Sequence, residues 1–320
     1  TPAMPPRSAS PSRTSPTKSS KPRSHVEFYP DFLYFKRVKL QAHSILRFAR
    51  RLLIAAVVAV LFWTILLMLF EERFIFFPST YPDGDYEDAA AVKNLEDCWF
   101  TAEDGVKLHG WFARADTPIA TLVMAHGNAG NLSHRLPMIT ALRDVGFHVF
   151  MFDYRGYGRS EGSPNEEGVY RDGRAAFDYV AARNDVDSAS IILLGTSLGG
   201  AVAVDVATHH KTAGLVLEST FSSAKDVARV AYPFLPAQFI MRSEFDSEEK
   251  IRTIRIPTLF IHGDQDSIIP ISLGRKLFDA ANEPKSFHVI TGADHNDIFW
   301  VGGKEYLDVI RSFAPSLKQQ

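Results

Sequence analysis

The chain has 320 residues, a formal net charge of −2 and 46% hydrophobic residues, enough for one large domain or two small ones. Its one cysteine, Cys98, excludes an intrachain disulfide. The absence of zinc-ligand spacing, of a recognition-helix pattern and of a basic patch with interleaved aromatics argues against a nucleic-acid partner.

Charge is unevenly distributed. The first fifty residues are strongly basic and the rest carries an acidic excess, an arrangement that points to a membrane surface when a hydrophobic run lies beside the basic arm. Residues 1 to about 24 are Ser, Pro, Arg, Lys and Thr with almost nothing apolar to bury. Such a segment cannot recover its conformational entropy by packing and is expected to be disordered. From Val26 to Arg51 the texture turns aromatic and basic, with Phe28, Tyr29, Phe32, Tyr34 and Phe35 followed by Lys36, Arg37 and Lys39. This stretch reads either as a segment lying against anionic headgroups or as a flexible basic linker.

Leu52 to Phe70 is a run of 19 residues without a charge. As a helix it is about as long as a bilayer's hydrocarbon core is thick. It exceeds a signal-peptide core, and Glu71-Glu72-Arg73 follows it in place of a small-residue cleavage site. The expectation is a membrane-spanning helix; the alternative is a buried core helix. Lys36, Arg37, Lys39, Arg47, Arg50 and Arg51 precede the run and Arg73 stands nearly alone after it. The positive-inside bias then puts the N-terminus in the cytoplasm and the C-terminal domain on the non-cytoplasmic side.

Residues 71–93 read as a linker, and 94–315 as a catalytic domain in which strands alternate with helices. Eight short, apolar strands are expected: Leu95–Thr101, Lys107–Ala113, Thr121–Ala125, His148–Asp153, Ile191–Gly195, Leu215–Glu218, Thr258–His262 and Phe287–Thr291. Helical patterns lie near Leu132–Asp144, Glu166–Ala182, Leu198–Ala207, Ser223–Ala231, Leu273–Ala281 and Gly303–Phe313. Two antiparallel strands followed by strand–helix alternation predict an α/β fold, a mostly parallel eight-stranded sheet with helices on both faces.

The strongest chemical signal is Gly195-Thr196-Ser197-Leu198-Gly199, between the strand IILLG and the helix LGGAVAV. A serine at a tight strand-to-helix turn is pushed clear of the sheet, and the helix N-terminus beneath it favours an oxyanion. A serine hydroxyl is a weak nucleophile that needs a base, and the base needs an orienting carboxylate. On such a sheet these follow the serine, acid first and histidine last. Asp266, in HGDQDSIIP after the next-to-last strand, is the expected acid, with Asp264 as the fallback. His295, in DHND after the last strand, is the expected base, whereas His209, His210 and His288 read as surface histidines.

Acyl transfer also needs N–H groups aimed at the developing oxyanion. The expected pair is the backbone N–H of Leu198 and that of Asn128, in the loop His126-Gly127-Asn128-Ala129-Gly130-Asn131. His126 itself reads as a brace of this loop or, alternatively, as a second base. Asp153-Tyr154-Arg155-Gly156-Tyr157-Gly158-Arg159-Ser160 reads as a wall of the site or as a loop held by an Asp–Arg brace.

Together, HGNAGN, DYRGYGRSEGSP, GTSLGG, HGDQDSIIP and DHND resemble the α/β-hydrolase superfamily over roughly Asn94 to Pro315, and within it the single-pass membrane-anchored subgroup. The resemblance implies a hydrolase domain without a large lid, a Ser-His-Asp triad of Ser197, His295 and Asp266, and no cofactor. It leaves the substrate open, although an aspartate would have to replace Ser197 in a dehalogenase, and HGNAGN departs from the HGGG form of many lipases.

About 35 residues separate Glu218 from Thr258, too few for a large cap. They include the apolar patch Val230-Ala231-Tyr232-Pro233-Phe234-Leu235-Pro236-Ala237-Gln238-Phe239-Ile240-Met241, read as the lining of an acyl pocket or as a short helix packed on the core. The expected function is hydrolysis of carboxylic esters or thioesters, with lipid-like or acylated substrates near the membrane. A serine peptidase or amidase of the same fold and a non-catalytic membrane scaffold are the alternatives.

Overall fold

The computed structural model describes residues 32–233 and 237–316. The tail expected to be disordered, the residues from Val26 to Asp31, and Phe234, Leu235 and Pro236 of the apolar patch lie outside them. The chain divides into two units, the first ending at Leu61 and the second beginning at Phe62.

One helix, α1 (Phe32–Leu69), carries both the basic stretch and the apolar run. Its start lies well before Leu52, because residues 32–51 contain neither Pro nor Gly and are rich in Leu, Ala, Lys and Arg. Its segment His43–Leu69 contains an 18-residue window of mean hydropathy 2.9 and, among the described residues, is the one helix long and apolar enough to cross a membrane.

Next come α2 (Glu72–Ile75), β1 (Phe77–Pro78), α3 (Tyr86–Ala90), β2 (Leu95–Thr101), β3 (Lys107–Ala113), β4 (Ala120–Ala125) and β5 (Ala129–Gly130). The chain continues through α4 (Leu136–Asp144), β6 (Phe147–Phe152), α5 (Glu166–Ala181), β7 (Ile191–Thr196), α6 (Leu198–His209) and β8 (Gly214–Glu218). It closes with α7 (Ala224–Ala231), α8 (Ala237–Ile240), α9 (Ser247–Ile251), β9 (Thr258–Gly263), α10 (Ile271–Ala280), β10 (Lys285–Ile290) and α11 (Ile298–Ser316).

Eight strands form one sheet in the order β10-β9-β8-β7-β4-β6-β3-β2. Only the β2–β3 and β3–β6 pairings are antiparallel; the others are parallel. Alternate side chains of each strand feed two cores. Val123, Phe150, Leu193, Leu215 and Phe260 pack with α5, α6, α9 and α10. Leu122, Val149, Ile192, Val216 and Leu259 pack with α4 and α11 on the opposite face. Burial on both faces explains why the central strands read as unbroken apolar runs.

Residues 71–93, expected to be a linker, are built into this domain. β1 pairs in parallel with β5, Thr80 bridges to Gly158, and Phe76 and Tyr86 are buried. Glu71 is also buried, its carboxylate accepting the backbone N–H of Arg242 at 3.0 Å and of Ser243 at 2.7 Å. Burial alone would raise its pKa, but these bonds outweigh burial and hold it below the usual range.

The loop after β6 is held by an Asp–Arg brace, with aspartates that come from outside the loop. Asp153 does not pair with Arg155. It accepts the Leu132 N–H at 2.8 Å and lies 3.5 Å from His126 Nε2. Arg155 instead reaches Asp172 on α5 at 2.8 Å and Asp104 at 2.8 Å. Because Asp172 is fully buried, Arg155→Met strands a charge and should cost about 3–5 kcal/mol. Urea unfolding should show that loss, with partial recovery when Asp172→Asn is added, whereas Asp104→Ala should cost about 1 kcal/mol or less.

Candidate active site

β7 ends at Thr196 and α6 begins at Leu198, so Ser197 makes the turn by itself, with φ 54° and ψ −118°. That backbone is sparsely populated for a residue with a Cβ and stores about 1–3 kcal/mol. The flanking glycines are required by contact. A Cβ on Gly195 would stand 2.2 Å from the Gly199 carbonyl oxygen, and one on Gly199 would stand 2.0 Å from that of Ala125. The Ser197 N–H donates to the Glu218 carbonyl at 2.8 Å, and Thr220 Oγ1 donates to the Ser197 carbonyl at 2.8 Å.

His295 Nε2 lies 3.0 Å from Ser197 Oγ, and its Nδ1 lies 2.8 Å from Asp266 Oδ2. An ionised carboxylate only accepts, so Nδ1 carries the proton and Nε2 is left to accept from the serine hydroxyl. All three residues are buried. The second oxygen of Asp266, Oδ1, accepts the N–H groups of Ile268 at 3.0 Å and Ile269 at 2.7 Å. Burial alone would raise the Asp266 pKa, but hydrogen bonds from His262, His295 and Ile269 together hold it well below the usual carboxylate range. The fallback acid, Asp264, is exposed and accepts the Gly292 N–H at 2.7 Å.

His262 was missed by sequence reasoning. Its Nε2 lies 2.9 Å from the Ile269 carbonyl and 3.3 Å from Asp266 Oδ2. Both neighbours accept, so Nε2 carries the proton and the ring holds the Asp266 turn in place. The available signal was its position as the strand residue just before the GDQD turn. Glu218 at the end of β8 was missed as well. It is buried, bonded by Tyr306 OH at 2.5 Å and Thr196 Oγ1 at 3.4 Å, and its pKa is raised by burial despite them.

The 126–131 loop is held from several sides. The Asn128 carbonyl accepts the Phe77 N–H at 2.9 Å and Tyr157 OH at 2.7 Å, while its side-chain amide donates to the Ile75 carbonyl at 2.8 Å. His126 is buried, with Nδ1 2.7 Å from the Gly127 carbonyl and Nε2 toward Asp153. It faces the interior of the loop. Leu198 is the first residue of α6, where helical amides have no partner within the helix.

Ser197, His295, Asn128 and Leu198 line one pocket of about 510 Å³. Most of the rest of its wall is apolar, including Leu67, Met68, Phe74, Val227, Tyr232 and Met241. The described part of the apolar patch divides accordingly. Ala231, Tyr232, Ile240 and Met241 line the pocket, and Phe239 is exposed.

A family model described as serine aminopeptidase, S33, matches residues 116–246. The chain is 34% identical over 284 residues to the alpha/beta hydrolase domain-containing protein WAV2 of Arabidopsis thaliana, covering 80% of this chain and 92% of that protein. The chain belongs to the α/β-hydrolase superfamily. It is also 38% identical over 274 residues to an uncharacterized protein of Mycobacterium tuberculosis, covering 84% of this chain and 96% of that one. The esterase Pf2001 of Pyrococcus furiosus shares the fold of this hydrolase, with a TM-score of 0.62 at 20% identity over 76% of this chain and 98% of that one.

Two outcomes follow from the geometry alone. Ser197→Gly should be more stable than Ser197→Ala by about 1 kcal/mol in thermal unfolding, since glycine accepts a positive φ at no steric cost. For Asp266 the folded pKa is depressed, so its stabilisation is complete above the unfolded value of about 3.9 and is lost as pH falls through the lower folded value. Unfolding midpoints followed downward from about pH 5 should therefore drop more steeply for wild type than for Asp266→Asn.

Proposed function

We propose that the chain is a serine hydrolase cleaving carboxylic esters or thioesters of apolar acyl groups, through an acyl-enzyme on Ser197, at the membrane its N-terminal helix crosses. The observation that carries this reading is the unbroken path Ser197–His295–Asp266 opening on an apolar pocket. Ser197 Oγ attacks the carbonyl carbon while His295 Nε2 takes its proton, and the ionised Asp266 stabilises the imidazolium. The N–H groups of Asn128 and Leu198 receive the oxyanion, a contribution of about 3 kcal/mol per donor. His295 then returns the proton to the departing alcohol or thiol, and water repeats the sequence on the acyl-enzyme.

Membrane proximity rests on Leu67 and Met68. They belong both to the apolar segment His43–Leu69 and to the pocket wall, so an acyl chain can pass between bilayer and pocket with little exposure to water. The basic residues before this segment support a cytoplasmic N-terminus and a catalytic domain on the non-cytoplasmic side.

The family model's name raises the second reading, a serine aminopeptidase. An aminopeptidase has to bind a substrate ammonium. Among the described residues the one acidic side chain in the pocket wall, Glu71, is already occupied by the N–H groups of Arg242 and Ser243. That favours the ester reading.

The test uses full-length protein in detergent with p-nitrophenyl esters of graded chain length and a fluorophosphonate probe. Ser197→Ala should abolish labelling, and Ser197→Ala and His295→Ala should each lower kcat by about 10⁴-fold or more. Long-chain esters should be preferred over acetate. Labelling that persists in Ser197→Ala would refute the assignment of the nucleophile.

A further inference from the structure

Among the described residues that line the pocket, two side chains other than His295 are charged near neutral pH: Glu71, with its partners, and Arg135. Arg135 follows the 126–131 loop, just before α4, and is partly buried. Its Nη2 donates to the Ala129 carbonyl at 3.1 Å. Among the described residues no carboxylate oxygen lies within 4.0 Å of it, whereas Arg155 and Arg183 each meet two carboxylates and Arg174 meets three.

A guanidinium stays charged at any physiological pH, and burial lowers the pKa of Arg135, which marks how poorly its charge is compensated. Beyond the bond to Ala129, its N–H groups have no protein partner among the described residues and border a mostly apolar wall, where water solvates them less fully than in bulk, at a cost. The cost is removed when a ligand brings the missing anion, which a planar guanidinium binds through two parallel hydrogen bonds.

We infer that Arg135 binds an anionic group, a phosphate or a carboxylate, on the alcohol portion of the substrate. The ester hydrolysed at Ser197 is then a fatty acyl ester of an anionic alcohol. The acyl chain fills the apolar wall, so the charged group that meets Arg135 belongs to the leaving half. Water is the only co-reactant, and the products are the fatty acid and the anionic alcohol. This inference rests on Ser197 being the nucleophile.

The test compares kcat/KM for 1-oleoylglycerol, 1-oleoylglycerol 3-phosphate and O-oleoylglycerate, using the full chain in neutral detergent. Wild type should favour one or both anionic esters over the neutral one, and which one identifies the anion. In Arg135→Gln the anionic-to-neutral ratio should fall by about 10- to 100-fold, with an intermediate ratio in Arg135→Lys.

An unchanged ratio in Arg135→Gln overturns the inference while leaving the nucleophile assignment intact. So does a wild-type enzyme that reacts with the fluorophosphonate probe but favours neither anion or cleaves none of the three. Wild type that does not label refutes the assignment of Ser197 instead. Should Arg135→Gln itself fail to label, inhibition of wild type decides the matter. Dodecyl phosphate should inhibit at least about tenfold more strongly than dodecanol, and equal inhibition overturns the proposal.

Discussion

The start of α6 lies so close to the carboxyl end of β4 that a methyl group on Gly199 would meet the Ala125 carbonyl at 2.0 Å. This contact locates everything around Ser197. β7 runs between β4 and β8, with Ala125 opposite Gly195 and Glu218 opposite Thr196. The loop leaving β4 and the one leaving β8 therefore start level with the serine. The positive φ of Ser197 is the strain that this approach imposes, and the sheet on either side is rigid enough to sustain it. His295 and Asp266 come from the ends of the last two strands, on the far side of β8. The imidazole is what carries the site across that gap.

How much of this was legible in the sequence depended on whether the signal was local. All eight strands of the sheet lie close to where the sequence placed them, and the central ones were clearest because burial on both faces writes itself into consecutive apolar residues. Ser197, Asp266 and His295, which the structure brings together, could be picked out because each follows the carboxyl end of a strand and the order of strands orders the residues. Residues 71–93 were misread as a linker. Their two-residue strand and short helices have no periodicity of their own, and their pairing partners lie about fifty or more residues away. The partners of Arg155 were not legible for the same reason. The aspartate two residues before it is near in sequence, but its partners come from α5 and from the β2–β3 turn.

The pocket shows how a small domain manages without a large cap. α7, Tyr232, Ile240 and Met241 form one wall, and the chain between Leu67 and Ile75 contributes to another. The second wall is apolar because the first part of that chain belongs to a segment suited to lipid. A carboxylate at the junction, Glu71, ties it to Arg242 and Ser243 and so to the first wall. The polar groups that remain sit at the reacting end, where charge develops during acyl transfer.

The pairing of β1 with β5 has a consequence for how the protein tolerates change in length. Phe77 donates to Asn128, Ser79 donates to the Gly130 carbonyl at 3.0 Å, and Gly158 donates to the Ser79 carbonyl at 2.9 Å. Each of these bonds fixes one residue of the 75–81 stretch to one residue of the loops beside Ser197. A single inserted residue there would shift the register by one and leave the 126–131 loop without its backbone partners. Although Phe77 and Tyr81 are exposed, this stretch is as intolerant of insertion as a strand in the middle of the sheet.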